Sequence, residues 1–119
     1  GEVGGLGASA LYFSYMLIGT TADGLAKEVY DADQVKSIAD SVKAVLKTNS
    51  DQLAAVRKTQ LTEEDAQYVD EIIAVMEMIR EYAALLEKYS EKKDPTVADS
   101  FQEHRTKTWE RIKKLLGIK

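Results

Sequence analysis

His104 is the only histidine of this 119-residue chain, and cysteine is absent. Those two facts narrow the available chemistry at once. Without Cys there can be no disulfide, thiolate nucleophile, Cys-type zinc site or covalent haem attachment. A di-iron carboxylate bundle needs Glu-x-x-His on two helices, which one His cannot supply. The chain holds no P-loop, no glycine fingerprint ahead of a helix, and no Ser/His/acid set with a nucleophile turn. The acids at Glu63-Glu64-Asp65 and Asp70-Glu71 fit a solvated helix start and a solvated face. The expectation is a non-catalytic protein without a cofactor.

The residues left for binding lie at the two ends of the chain: Tyr12, Tyr15, Met16 and Gly19 early, His104 and Arg105 late. Gly inside a helix costs ~1 kcal/mol relative to Ala, so Gly19 and Gly24 need a reason. Close approach of a neighbouring backbone is the simplest one. A ligand in the gap beside Gly19 is the second, with Tyr12 and Tyr15 as its polar contacts. Met16 and His104 also resemble, in type and helix, the ligands of four-helix b-type cytochromes, which hold haem between a Met on the first helix and a His on the last. The pattern departs from that family in position. There both ligands lie near one end of the bundle, whereas His104 falls near the middle of its helix and out of level with Met16. Arg105 sits inside an apolar stripe, where an unpaired guanidinium would cost several kcal/mol. It must therefore snorkel along the bundle edge or pair with an acid such as Asp23.

Four periodic segments must position these residues, over about 8–30, 32–58, 63–91 and 95–116. Asp31 with Gln34 reads as a capping box, Thr62 with Asp65 as a second helix start, and Asp94-Pro95 as a third. Leu115-Leu116-Gly117-Ile118 reads as a Schellman ending. In the second segment Val35, Ile38, Ala39, Val42, Val45, Leu46, Leu53 and Val56 follow helical spacing, with Asn49 as a register-fixing polar residue. Val69, Ile72, Met76, Ile79, Ala83 and Leu86 form the seam of the third, and Val97, Phe101, Thr108, Ile112 and Leu115 that of the fourth. Short links and similar lengths predict one all-α domain, an up-down-up-down antiparallel four-helix bundle. A three-helix bundle with a loosely packed first helix is the runner-up.

The third segment carries a second apolar row: Tyr68, Val75, Tyr82 and Tyr89 at seven-residue spacing, with Met78 and Leu85 alongside. This widens its apolar arc from the usual ~100° to about 200°. Either the first helix, apolar on nearly every side, packs over the surplus, or a second protein chain does. The leading functional expectation is an interaction module that self-associates, or docks another helical protein, through an extra apolar face on helix three or helix one. The second is a small-molecule site between helices one and four, with haem the less favoured ligand.

Bulk composition limits the partners. Hydrophobic residues make up 45% and charged residues 30%, which suits a folded globular domain rather than a disordered one. With 16 basic against 20 acidic residues and a net charge of -4, the chain lacks the basic stripe that nucleic acid requires. Val3 to Ala22 carries no charge, but its Tyr, Ser, Thr and Gly residues dilute it below a membrane span, and no Lys or Arg flanks it. The compartment is left open, and export after removal of an upstream signal is compatible with this start.

Overall fold

Each break in the hydrophobic pattern is closed by a cap, and the caps set where the helices begin. In the computed structural model, which describes the backbone of residues 2–118 and the side chains of residues 8–118, α1 spans Glu2–Ala26, α2 Ala32–Arg57, α3 Glu63–Lys92 and α4 Pro95–Leu116. Asp31 Oδ1 accepts from the Gln34 amide at 2.8 Å, and Gln34 Oε1 accepts from the Asp31 amide at 2.9 Å, which completes the expected box. Thr62 Oγ1 accepts from the Asp65 amide at 3.1 Å. Asp94 Oδ1 accepts from the Thr96 amide at 2.8 Å, with Pro95 opening the helix. At the other end Gly117 adopts a left-handed φ of 72°, and the Ile118 amide donates to the Lys113 carbonyl at 2.9 Å.

The first helix stops at Ala26 rather than near residue 30. Glu28 turns left-handed at φ 61°, and the Val29 amide folds back onto the Gly24 carbonyl at 2.8 Å. That reversal lays the Tyr30 ring over Gly24, where a Cβ would overlap it. Gly24 therefore serves a close approach, by a side chain rather than a backbone.

The four helices form an antiparallel up-down-up-down bundle with an unequal cross-section. α3 touches α1, α2 and α4, whereas α2 and α4 make no contact among the described residues. α1 and α3 thus lie along the short diagonal of a rhombus, and the molecule is flattened to 47 × 28 × 20 Å. The runner-up arrangement does not hold, because α1 is packed into the core: Leu11 and Ile18 are fully buried. Covered on three sides, α3 needs a wide apolar arc for its own fold. Its expected seam of Val69, Ile72, Met76, Ile79, Ala83 and Leu86 is buried throughout.

The register of α2 differs from expectation around its middle. Leu46 and Ser50 point inward, while Val45 is 54% exposed and Asn49 is half-buried. α2 packs on α3 and α1 but not on α4, so only a narrow arc of it is covered. Ser50 is tolerated there because its Oγ donates to the Lys47 carbonyl at 3.0 Å. Charges latch the same pair of helices. Glu87 accepts from Lys36 at 2.8 Å and from Lys43 at 2.7 Å, with Asp40 beside both. Hydrogen bonds to Glu87 and then Asp40 hold the Lys36 ammonium well above its ordinary pKa.

Candidate functional site

Two regions of α1 are candidate sites, and they lie on opposite sides of the same helix. On the inner side, Leu11, Tyr15, Ile18 and Leu25 recur at helical spacing and are buried. Tyr15 stacks on Tyr82 of α3 at 5.4 Å between ring centroids and on Trp109 of α4 at 5.5 Å. Tyr82 stacks in turn on Phe101 at 4.7 Å. Three helices are joined by this aromatic column. Its polar edge is a short relay: the Tyr15 hydroxyl donates to the Arg105 carbonyl at 3.2 Å, and Arg105 Nη1 donates to Asp23 Oδ1 at 3.4 Å. Arg105 thus does both things expected of it. Its stem runs along the bundle edge while its head meets Asp23, with 30% of the side chain exposed.

Gly19 belongs to this cluster. A Cβ at Gly19 would stand 3.1 Å from Arg105 Nη2 and 3.6 Å from the Tyr82 hydroxyl, so the space beside it is held by the guanidinium. The structure therefore brings Tyr15, Gly19 and Arg105 together, as the binding reading required, but fills the gap with a side chain of the protein itself. The Tyr82 hydroxyl is buried and has no hydrogen-bond partner, as does the Thr108 hydroxyl. Burial pushes the Tyr82 phenol well above its ordinary pKa of 10.0. Burial also raises Tyr15, against the lowering effect of Arg105.

Met16 and His104 do not converge, which corrects the haem-like pairing. His104 Nε2 lies 2.8 Å from the Met78 carbonyl, so it carries the proton and donates there, with Glu81 at 3.7 Å. Met16 is 44% exposed on the far side of α1. The reason is angular: Met16 follows Tyr15 by one residue, which rotates it out of the interior that Tyr15 enters. Tyr12 sits at the boundary, 37% exposed, with its ring 6.4 Å from Trp109.

The outer side of α1 is also apolar. Phe13 is 70% exposed, Leu17 47%, Met16 44% and Tyr12 37%. With Ser9 and Thr20, both exposed, they fill successive i, i+3, i+4 positions and form one continuous stripe. No charged residue interrupts it, since the sequence is uncharged from Val3 to Ala22. Charged pairs lie elsewhere, as with Arg57–Asp70 at 3.0 Å and Lys107–Glu103 at 2.9 Å.

The row on α3 that suggested an interface is largely internal. Val75 and Tyr82 are buried against this chain's own helices, so no second chain covers them; Tyr68, Met78, Leu85 and Tyr89 are half-buried around them. The surplus apolar face lies one helix away, at Phe13 and Leu17, neither of which sequence reasoning singled out. The signal was present in their spacing. Leu11, Tyr15, Ile18, Ala22 and Leu25 make one complete face, so a second apolar stripe between them must point away.

Among the described residues no helix is long and apolar enough to cross a membrane, and no three His, Asp or Glu side chains group as metal ligands would. Comparison with protein-family models, with curated proteins and with solved structures found no match.

Proposed function

We propose that this chain is a non-catalytic helical interaction module whose contact surface is the outer face of α1. The observation that carries the reading is the exposure of Tyr12, Phe13, Met16 and Leu17 on one uninterrupted, uncharged stripe. Isolated exposed apolar residues are normal, whereas a contiguous apolar patch of a few hundred Å² is often functional. At roughly 150–250 Å² for each large side chain, the exposed fractions of the four residues come to on the order of 400 Å². Covering that area gives up to ~10 kcal/mol gross at ~25 cal/mol per Å², against association costs of ~4–15 kcal/mol. The balance favours a weak, reversible contact over an obligate one.

The inner cluster supports this reading by what it does to α1. The aromatic column and the Tyr15–Arg105–Asp23 relay lock the helix in rotation, so the outer stripe is presented in one orientation. A preorganised surface loses less conformational entropy on docking.

The test is a photo-reactive phenylalanine analogue placed at residue 13 and, as a control, at Ser41 on the exposed side of α2, in the source cells. The reading expects a discrete adduct at residue 13, identified by mass spectrometry, and none at 41. Equal labelling at both sites, or none at 13, overturns it.

A further inference from the structure

We propose that the notch at Gly19, where α1 faces α3 and α4, binds a small free carboxylate between the Arg105 guanidinium and the Tyr82 hydroxyl. The site lies on the inner side of α1 and is independent of the outer stripe. Its starting point is a glycine that packing does not demand. Gly24 must lack a side chain, because a Cβ there would overlap the Tyr30 ring. Gly19 is under no such constraint. A Cβ there would meet the flexible end of Arg105 at 3.1 Å and the Tyr82 hydroxyl at 3.6 Å, with no backbone atom among its nearest neighbours. The helix nevertheless forgoes ~1 kcal/mol of propensity to keep that space clear. The space gives onto the hydroxyl of a fully buried tyrosine, which has no partner among the described residues. An unmet buried hydroxyl costs ~1–3 kcal/mol, and buried polar groups as a rule have partners.

The groups around the notch decide the chemistry of the occupant. Burial keeps the Tyr82 phenol protonated well above its ordinary range, so it offers a proton. The Arg105 guanidinium carries several N–H donors. Among the described residues it makes one long side-chain bond, from Nη1 to Asp23 Oδ1 at 3.4 Å, while Nη2 faces Gly19. The Tyr15 hydroxyl is already committed to the Arg105 carbonyl. Donors therefore outnumber acceptors, and the missing partner is an acceptor. A carboxylate fits best, since one oxygen can accept from the guanidinium and the other from the phenol, both as charge-assisted hydrogen bonds. Asp23 shows the same chemistry from within the chain, but its side chain is 60% exposed and meets only the outer nitrogen.

Entry requires only the Arg105 head to move. Tyr15 is held by the backbone carbonyl of Arg105, so the guanidinium can swing outward while the aromatic column stays in place. A short-chain acid such as acetate is planar and close to the guanidinium in size, and takes the space that the head leaves. A carboxylate carried on another protein cannot follow, because the Tyr82 side chain has no solvent exposure.

The experiment is thermal denaturation of the full chain, with sodium acetate exchanged for sodium chloride at constant ionic strength. Acetate should raise the midpoint saturably, as a ligand of the folded state does. Tyr82→Phe keeps the ring and should weaken acetate binding about tenfold, the worth of a buried hydrogen bond to a charged group. Arg105→Gln should abolish binding, and Asp23→Asn, which removes the competing carboxylate, should tighten it. In NMR spectra of the wild type the Tyr82 ring signals should shift along the same saturation curve, and those of Tyr68 near the start of α3 should not. A wild type without a saturable response leaves water as the occupant and overturns the proposal. A response undiminished in Tyr82→Phe also overturns it, because the anion would then sit on the exposed guanidinium alone.

Discussion

The two faces of α1 are built from the same kinds of residue and meet opposite fates. Leu11, Tyr15 and Ile18 are buried, while Phe13, Met16 and Leu17 lie open a few residues along the same turns. Hydrophobicity does not separate them. What does is the match between the inner face and its neighbours. Tyr15 finds the Tyr82 and Trp109 rings and the Arg105 carbonyl, and Gly19 leaves room for the Arg105 head. Among the described residues no equivalent partner stands opposite Phe13, which is 70% exposed. A helix that is apolar all round thus has its orientation chosen by specific partners on α3 and α4, and the unmatched face becomes available for another use.

The largest expected contrast between these faces is thermodynamic. Tyr82→Ala, which empties the centre of the aromatic column, should cost ~3–5 kcal/mol of stability by denaturant titration. Phe13→Ala in dilute solution should stay within ~0.5 kcal/mol, as for an exposed site. A cost above ~2 kcal/mol at Phe13 would place that face inside the fold and end the distinction.

A second contrast is in alkaline titration. The folded-state pKa values of Tyr82 and Tyr15 are raised by burial above the ordinary 10.0. The unfolded chain therefore ionises first as pH rises. Their contribution to stability is complete below pH 10.0 and is lost progressively above it. The denaturant midpoint should fall as pH climbs from 10, with phenolate absorbance from the inner pair appearing only as the chain unfolds. Ionisation of Tyr15 and Tyr82 near their ordinary pKa in a still-helical chain would contradict the buried column.

The glycines of α1 divide by what they meet. Gly24→Ala drives a methyl into the Tyr30 ring and should cost ~1–3 kcal/mol. Gly19→Ala meets only the movable end of Arg105 at 3.1 Å. There the helix gains ~1 kcal/mol of propensity, so the net change should be near zero. The reverse order of costs would show the Arg105 head to be rigidly seated.

The smallest effect concerns the unpartnered Tyr82 hydroxyl. Tyr82→Phe keeps the stacking and removes a buried polar group without a partner. Stability should be unchanged or rise by up to ~1 kcal/mol. A loss of that size instead would mean that the hydroxyl is satisfied in solution.

Much of this architecture was legible from local chemistry. The caps at Asp31, Thr62, Asp94 and Gly117 form where their residue types predict, because capping needs only neighbours in sequence. The α3 seam was legible because its spacing has a single solution. The purpose of its extra row was not. Tyr82 and Val75 widen the arc because α3 lies on the short diagonal and packs on three helices, a property of tertiary arrangement that no one helix encodes. Val45 was misplaced for a related reason, since α2 has no contact with α4 to cover that side. At the candidate site the residue types were legible and their rotation was not. Met16 and Tyr15 are adjacent in sequence, and only the partners of Tyr15 decide which of them turns inward.

The central claim is that the inner face of α1 is core while its outer apolar face stands open. Two methionines report on it directly: Met16 on the outer stripe, 44% exposed, and Met76 in the α3 seam, fully buried. Hydroxyl-radical footprinting should find Met76 unreactive. Met16, on the open face, should oxidise readily. A Met16 as protected as Met76 would contradict the account.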